Sequence, residues 1–213
     1  MTELNIHKKL KQLTLPCTNG QITLPQEGKW TVLHIYEGDF TPVSETELLA
    51  LNRAAPKFKA HGAQILALSR DSVATHLAWI MALKNRTTDA KPIDVTLISD
   101  RDGRLVLPLG LADGLSSGTV ITDPDGIIRA FDKQSSKTGI NVTETERKLI
   151  ALQTAFAQNG ATPASWTPGE DILRLPPKTT ADALLCLSER HKTDGNCLDW
   201  YICYKPDSAK RLL

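Results

Sequence analysis

The sequence predicts an α/β fold with a central mixed sheet and helices on both of its faces. Two short, apolar, β-branched runs at 31–36 and 64–69 are typical of strands that are buried on both faces of a sheet. Between them, apolar residues from Leu48 to Phe58 recur at helical spacing, and Gly62 stands where a helix would end. These three elements predict a βαβ unit with parallel strands.

The rest of the first 160 residues extends this pattern. A second helix is expected after Ser72, followed by a strand at 95–99. Two alternating runs on either side of the turn at 123–126 predict an antiparallel hairpin, and a last helix is expected to end before Gly160. Strands, helices, a hairpin and a final helix in this order predict a thioredoxin-like sandwich.

The character of the chain changes at Ala161. Four prolines, a short helical stretch at 181–187 and the aromatic string CLDWYICYK follow. We therefore expect a main domain at 1–160 and a small C-terminal extension at 161–213. The extension is too small to bury a core alone, so we expect it to pack on the main domain or on a second subunit.

Composition excludes several classes of function. Lys and Arg number 25 against 24 Asp and Glu, so no global charge favours nucleic acid or an anionic membrane as partner. The absence of a long apolar segment and of a signal sequence predicts a cytoplasmic protein. The four cysteines show no CxxC or metal-ligand spacing. We expect reduced cysteines, no metal and no cofactor.

One string points to a family. The segment 39–48, DFTPVSETEL, lies between the first predicted strand and the first helix, and it resembles the active-site loop of the peroxiredoxins (AhpC/TSA), P-x-x-x-T-x-x-C. Further strings at 67–79, 98–110, 123–131 and 161–170 resemble those of the long one-cysteine subfamily, in the same order. The resemblance implies a thioredoxin fold, a C-terminal peroxiredoxin extension and a thiol-dependent peroxidase ancestry.

The residues that carry the family's chemistry are replaced. In that family a thiolate at a helix N-terminus is activated by an arginine, and a threonine hydroxyl positions the peroxide. The resemblance assigns Thr41 to the threonine, but Ser44 to the cysteine and Glu37 to the proline that shields it. It assigns Ser117 to the arginine that precedes the strand TVITD. These four residues are the candidate catalytic positions.

Four further positions form the candidate binding surface. Tyr36 stands where many family members have histidine, and Pro42 and Val43 lie in the active-site loop. Glu47, which in the family orients the arginine, is retained. A second family arginine, in a TGRN string, is Ile140 here. With Glu37 and Glu47 facing one loop and both family arginines missing, we expect a neutral or cationic ligand that bears hydroxyl or amine groups.

Three functions remain open on this basis. The first is a protein that is not a thiol peroxidase and uses the inherited pocket for another small molecule, either as a binding protein or in a biosynthetic or tailoring reaction. The second is an inert homologue that regulates or binds another protein. The third is a genuine one-cysteine peroxidase that carries an inactivating Cys-to-Ser change at 44, natural or engineered. Whether the chain is an enzyme is left undecided by its sequence.

Assembly can also be anticipated. The aromatic residues of CLDWYICYK lie in a unit too small to bury them. We therefore expect a homodimer, joined edge to edge through the strand GIIRAF at 126–131, with the extension packed on the partner subunit.

Overall fold

The structure is a computed structural model that describes residues 5–86, 92–111, 115–189 and 196–208. The chain divides into two compact units, Met1–Val142 and Thr143–Leu213. The helix that follows Asn141 therefore belongs, all but its first residue, to the second unit. The sequence-based boundary between 160 and 161 stays a prediction about the family domains.

The described residues form four helices and eleven strands. The helices are α1 (Pro42–Ala60), α2 (Val73–Arg86), α3 (Val142–Ala157) and α4 (Thr180–Glu189). The strands of the first unit are β1 (Leu13–Cys17), β2 (Gly20–Leu24), β3 (Trp30–Ile35), β4 (Ala63–Ser69), β5 (Thr96–Ser99), β6 (Ser116–Thr122) and β7 (Ile128–Ser135). Those of the second are β8 (Gly160–Ala161), β9 (Ile172–Arg174), β10 (Cys197–Asp199) and β11 (Ile202–Lys205).

A seven-stranded mixed sheet organises the first unit, in the order β2-β1-β5-β4-β3-β6-β7. β3, β4 and β5 are parallel, as the βαβ pattern predicts, whereas β6 pairs antiparallel with both β3 and β7. The hairpin of β6 and β7 turns at 123–126, where the side chain of Asp123 accepts hydrogen bonds from the amides of Asp125 and Ile127. The thioredoxin-like fold class is confirmed.

The two faces of this sheet differ in chemistry. One face packs an apolar cluster in which Leu33 and Ile35 of β3 meet Leu66, Leu68 and neighbours from five other strands and the loop after β5. Because side chains alternate along a strand, the intervening His34 points to the opposite face, together with Thr119 of β6 in register with it. Polar side chains are thus buried on the face that carries the candidate site.

The second unit has a small core of its own. Its four strands form a separate sheet in the order β10-β11-β9-β8. Ala151 of α3 packs with Trp166 and Ile172, and both of these larger side chains are fully buried. The indole of Trp166 donates a hydrogen bond to the carbonyl of Glu170 at 3.0 Å. The predicted helix at 181–187 is present as α4.

One expectation about the cysteines was wrong. Cys197 and Cys203 form a disulfide, whereas Cys17 and Cys186 are free. The reason is the antiparallel pairing of β10 with β11, which sets Cys197 directly opposite Cys203 with the Cα atoms 4.0 Å apart. The two cysteines meet because a hairpin forms between them, and the sequence analysis did not predict a hairpin within CLDWYICYK.

None of the described helices is long and apolar enough to cross a membrane.

Candidate functional site

The N-terminus of α1 holds the loop singled out by sequence. Thr41 is the N-cap residue with extended backbone, and Pro42 follows in the first turn, where a missing amide hydrogen carries no penalty. Phe40, just before the cap, has φ of 59° and an exposed ring. This sharp entry turns the chain so that Ser44 lies in the first turn of α1 and is buried, 3% exposed.

Ser44 is tied to Thr41. The two Oγ atoms lie 2.7 Å apart, and the Thr41 hydroxyl is also 2.9 Å from the carbonyl oxygen of Gly38. Thr41 has one hydroxyl proton, and a carbonyl can only accept. Thr41 is the donor in both contacts, so its one proton is shared between the Gly38 carbonyl and Ser44 Oγ, which both accept. The neighbour of Ser44 Oγ is therefore a neutral hydroxyl, which is not a base.

Glu47, one turn further along α1, is buried and fully engaged. Its Oε2 lies 3.2 Å from Nε2 of His34, and its Oε1 accepts a hydrogen bond from the Ile140 amide at 3.1 Å. The other ring nitrogen of His34 lies 3.2 Å from the hydroxyl of Thr119. His34 and the Ile140 backbone thus satisfy a carboxylate that the resemblance pairs with an arginine. The sequence analysis expected the Glu47 carboxylate to face an open loop, and in the structure it does not.

Tyr36 belongs to a second buried polar cluster. Its hydroxyl donates to Asp39 at 2.8 Å, and the other oxygen of Asp39 lies 2.8 Å from Nδ1 of His76. The amide of Asp39 in turn donates to the side chain of Asp71 at 2.8 Å. Burial and, second, the neighbouring Asp39 carboxylate raise the pKa of Tyr36 well above its ordinary value. The hydroxyl therefore connects the end of β3 to the loop at Asp39.

Ser117 and Val43 take up separate positions. Ser117 is buried on β6, and its hydroxyl makes no hydrogen bond to any part of the chain that the structure describes. In the antiparallel register of β6 with β3, Gly118 lies opposite Ile35, the last residue of β3. Ser117, the residue before Gly118, therefore lies just beyond the end of β3. Val43 is half-buried, and Gly139 lies against it: a Cβ built on Gly139 would be 3.8 Å from Val43 Cγ1.

Glu37 lies in a different setting from the other carboxylate. It is exposed, two residues beyond β3, and lines an open pocket of about 420 Å³ together with Arg70 and Arg101. The expected pair of carboxylates without an offsetting arginine is therefore not what the structure has. Glu47 is enclosed by its own partners, and two guanidinium groups share the pocket of Glu37. This removes the reason for expecting a neutral or cationic ligand.

Sequence reasoning brought Thr41 and Ser44 together correctly but missed four residues. Asp39, His76, Arg70 and Arg101 were not singled out as site residues. Arg70 and Arg101 follow the carboxyl ends of β4 and β5, and in a parallel sheet these ends meet at one edge. That placement was a readable signal for both arginines.

Comparison with known proteins shows the family of the chain. The AhpC/TSA family model matches residues 6–131, and the C-terminal domain of 1-Cys peroxiredoxin matches residues 151–186. The chain belongs to the AhpC/TSA family, the peroxiredoxins. Among its relatives, a peroxiredoxin of Methanosarcina mazei is 31% identical over 92% of this chain and 95% of its own length. Peroxiredoxin 2 of Thermoplasma acidophilum is 35% identical over 92% of this chain and 97% of its own.

Solved peroxiredoxin structures share the fold. The yeast mitochondrial 1-Cys peroxiredoxin aligns with a TM-score of 0.81 and 24% identity, over 95% of this chain and 99% of its own. A cysteine-to-serine mutant of peroxiredoxin 6 of Arenicola marina aligns with a TM-score of 0.80 and 24% identity, over 96% and 98%.

Proposed function

We propose that this chain is a peroxiredoxin-family protein that does not reduce peroxides through residue 44 and uses the pocket beyond β3 to bind another small molecule. The observation that carries the first half is the hydrogen-bonding of Ser44. Its hydroxyl is buried and linked to Thr41 and, through it, to a carbonyl. A serine hydroxyl has no accessible anion near neutral pH, and it cannot cycle through a sulfenic acid as a cysteine does.

Nothing in the described part of the chain activates Ser44. No basic side chain is hydrogen-bonded to its Oγ, and the nearby His34 uses its two ring nitrogens on Glu47 and Thr119. A serine nucleophile needs a base within hydrogen-bond reach and a third group that orients that base. His34 has an orienting carboxylate but is not bonded to the serine. This argues against hydrolase chemistry as well.

The relatives carry the name peroxiredoxin, which for them implies reduction of peroxides. For this chain, the resemblance places Ser44 and Ser117 at the family's cysteine and arginine positions, so both halves of that chemistry are missing together. A single inactivating change would have left the arginine in place. Ser117 is buried, and its hydroxyl has no hydrogen-bond partner among the described residues. This is expected if a short side chain has replaced a longer one in an inherited site.

The second half of the proposal rests on the pocket beside Glu37. An open cavity of about 420 Å³ lies within the ordinary size of ligand sites, and it combines charged side chains with an apolar wall of Val106 and Leu111. Two arginines and a glutamate lie together at one edge of the sheet, and this grouping favours a pocket that binds a ligand over one that binds nothing. We expect Glu37 to accept a hydrogen bond from the ligand.

The decisive experiment is a peroxide-consumption assay with dithiothreitol or thioredoxin as reductant, on the wild type and on Ser44→Ala. We expect both proteins to consume hydrogen peroxide at the same negligible rate. Rapid turnover by the wild type that is lost in Ser44→Ala would overturn the proposal. A thermal-shift screen of small polar metabolites against wild type and Glu37→Gln tests the binding half, with stabilisation of the wild type that weakens in Glu37→Gln as the expected result.

A further inference from the structure

The pocket beside Glu37 lies at the carboxyl ends of the three parallel strands of the first unit. Glu37 follows β3, Arg70 follows β4, and Arg101 follows β5. Open α/β sheets bind ligands outside the carboxyl ends of their strands, because the loops that leave those ends converge there. Among the residues that the structure describes, its lining is Tyr36, Glu37, Arg70, Arg101, Val106, Leu111 and Ser116.

The charged groups of this lining are not used by the fold. The side chains of Glu37, Arg70 and Arg101 are exposed, and none forms an ion pair within 4.0 Å with another residue of the described ranges. Arg70 makes one long hydrogen bond, from Nη2 to the carbonyl oxygen of Arg101 at 3.5 Å, which holds its guanidinium beside the loop after β5. One carboxylate and two guanidinium groups therefore remain available to a ligand.

The uncharged part of the lining is apolar. Val106 and Leu111 are buried members of the sheet's core cluster that present an edge to the pocket. Tyr36 adds its ring, because its hydroxyl is already bonded to Asp39 at 2.8 Å. A ligand that fits this surface carries a short apolar group as well as charged ones.

We propose that the pocket binds a small α-amino or α-hydroxy carboxylate. The carboxylate lies against Arg70 and Arg101, whose planar guanidinium groups match its geometry. The amino or hydroxyl group donates to Glu37, and the apolar side chain lies on Val106 and Leu111. This deepens the proposed function, on which it rests, and it adds a carboxylate to the hydroxyl- or amine-bearing ligand expected from sequence. An amine without a carboxylate would meet two like charges and one opposite charge.

Four compounds that share the isobutyl side chain of leucine test this chemistry by calorimetry on the full chain. L-Leucine has both groups, and 2-hydroxy-4-methylpentanoate has a hydroxyl in place of the amine. 4-Methylpentanoate has the carboxylate alone, and 3-methylbutylamine has the amine alone. We expect saturable binding of the first two. Since a hydrogen bond to a charged group contributes about 1.5–3 kcal/mol, 4-methylpentanoate should bind at least about tenfold more weakly. The amine should not bind measurably.

Three variants locate the binding. Arg101→Gln should weaken L-leucine and 4-methylpentanoate alike, by about tenfold or more. Glu37→Gln should remove most of the advantage of L-leucine over 4-methylpentanoate, because the amine loses its charged acceptor. The matched control is Arg53→Gln, which removes the same charge from an exposed position on α1 that does not line the pocket, and which should change nothing.

Other results would overturn the inference. These are preference for the amine, affinity that is unchanged in Arg101→Gln, or no saturable binding of any of the four compounds at millimolar concentration. Such an outcome would leave the absence of peroxidase activity untouched. Rapid peroxide turnover dependent on Ser44 would overturn the proposed function whatever the calorimetry shows, so the two failures can be told apart.

Discussion

Nε2 of His34 lies 3.2 Å from Oε2 of Glu47, and both side chains are buried, 1% and 3% exposed. The pair joins β3 to α1 beneath the first turn that carries Ser44. A carboxylate that is buried without partners is strongly unfavourable. His34 and the Ile140 amide provide one partner for each oxygen, so the site is stable without an arginine from β6.

Replacing His34 should therefore destabilise the protein. In His34→Leu, Oε2 of Glu47 loses its partner while it stays buried, and breaking a buried pair from one side costs about 3 kcal/mol or more. Urea unfolding followed by fluorescence measures the change in the free energy of unfolding. The double variant His34→Leu/Glu47→Leu should recover a large part of the loss, because no unpartnered carboxylate remains.

Glu144→Gln is the matched control for this prediction. It removes the exposed ion pair with Arg147, which has its atoms 2.7 Å apart but side chains 40% and 28% exposed. An exposed pair contributes at most about 1 kcal/mol. If His34→Leu were no more harmful than Glu144→Gln, the His34 and Glu47 contact would have no structural role.

Restoring the cysteine alone should not restore peroxidase chemistry. In Ser44→Cys, the new thiol would lie in the first turn of α1 beside Thr41, with a buried side chain and no arginine among the described hydrogen-bond partners of residue 44. A helix N-terminus lowers a thiol pKa, but strongly reactive cysteines also have a cationic neighbour. We expect its rate constant with hydrogen peroxide, measured by competition kinetics, to be close to that of free cysteine.

The double variant Ser44→Cys/Ser117→Arg is the companion test. Because the resemblance assigns Ser117 to the family's arginine position, the added guanidinium should lower the thiol pKa. Thiolate absorbance at 240 nm measures this change. A fast reaction of the single variant would show that the scaffold has kept its activating groups, and the degenerate-site argument would fail.

The sequence was sufficient for the fold and for part of the site. Local signals such as the apolar runs, the helical spacing and the turn at 123–126 are set by nearby residues, and the structure has each of these elements. The Thr41 and Ser44 contact was also accessible, because the two residues are three apart at a helix start.

Contacts between distant segments were not accessible in the same way. The bonds of His34 to Glu47 and Thr119 depend on the packing of α1 and the register of β6, so the sequence analysis did not single out this residue. Cys197 and Cys203 could be paired only once the hairpin between them was recognised. The sequence analysis expected no arginine near Glu37. Arg70 and Arg101 line the same pocket because β3, β4 and β5 are neighbouring strands of the sheet.

The ionisation of Tyr36 offers a probe of the loop. Burial, and then Asp39, raise its pKa above the ordinary value, whereas Tyr201 is exposed. The chain has three tyrosines. In a pH titration at 295 nm we expect Tyr36 to ionise only above the ordinary tyrosine range near pH 10. In Tyr36→Phe the late step should be missing.

The sign of the linked stability effect follows from that shift. A tyrosine whose pKa is raised in the folded state holds its proton more tightly there than in the unfolded chain. Its contribution is complete below about pH 10 and is lost as the pH rises towards the folded-state value. Wild type should therefore lose stability above pH 10 more steeply than Tyr36→Phe. Titration curves of wild type and Tyr36→Phe that coincide above pH 10 would contradict the burial of this hydroxyl.

The last prediction concerns assembly, for which the structure narrows the proposed edge. β7 lies at the edge of the seven-stranded sheet, but its first residue already pairs with the N-terminal segment: Ile128 accepts from His7 at 2.8 Å and donates to Lys8 at 3.0 Å. The predicted pairing with a second copy is therefore confined to the part of β7 after Ile128, rather than extending over all of GIIRAF. An open edge strand presents backbone groups that favour pairing with another chain.

Exposed aromatic residues of the extension provide the means to test the dimer. Trp200 and Tyr201 are 40% and 55% exposed, and we propose that a partner subunit covers them. Light scattering at micromolar concentration should show a dimer for the wild type and a shift towards monomer for Trp200→Ser/Tyr201→Ser. Met81→Ser, which removes a 67% exposed apolar side chain from the first unit, is the control and should stay dimeric. A wild type that is monomeric throughout this range would remove the basis for the proposed interface.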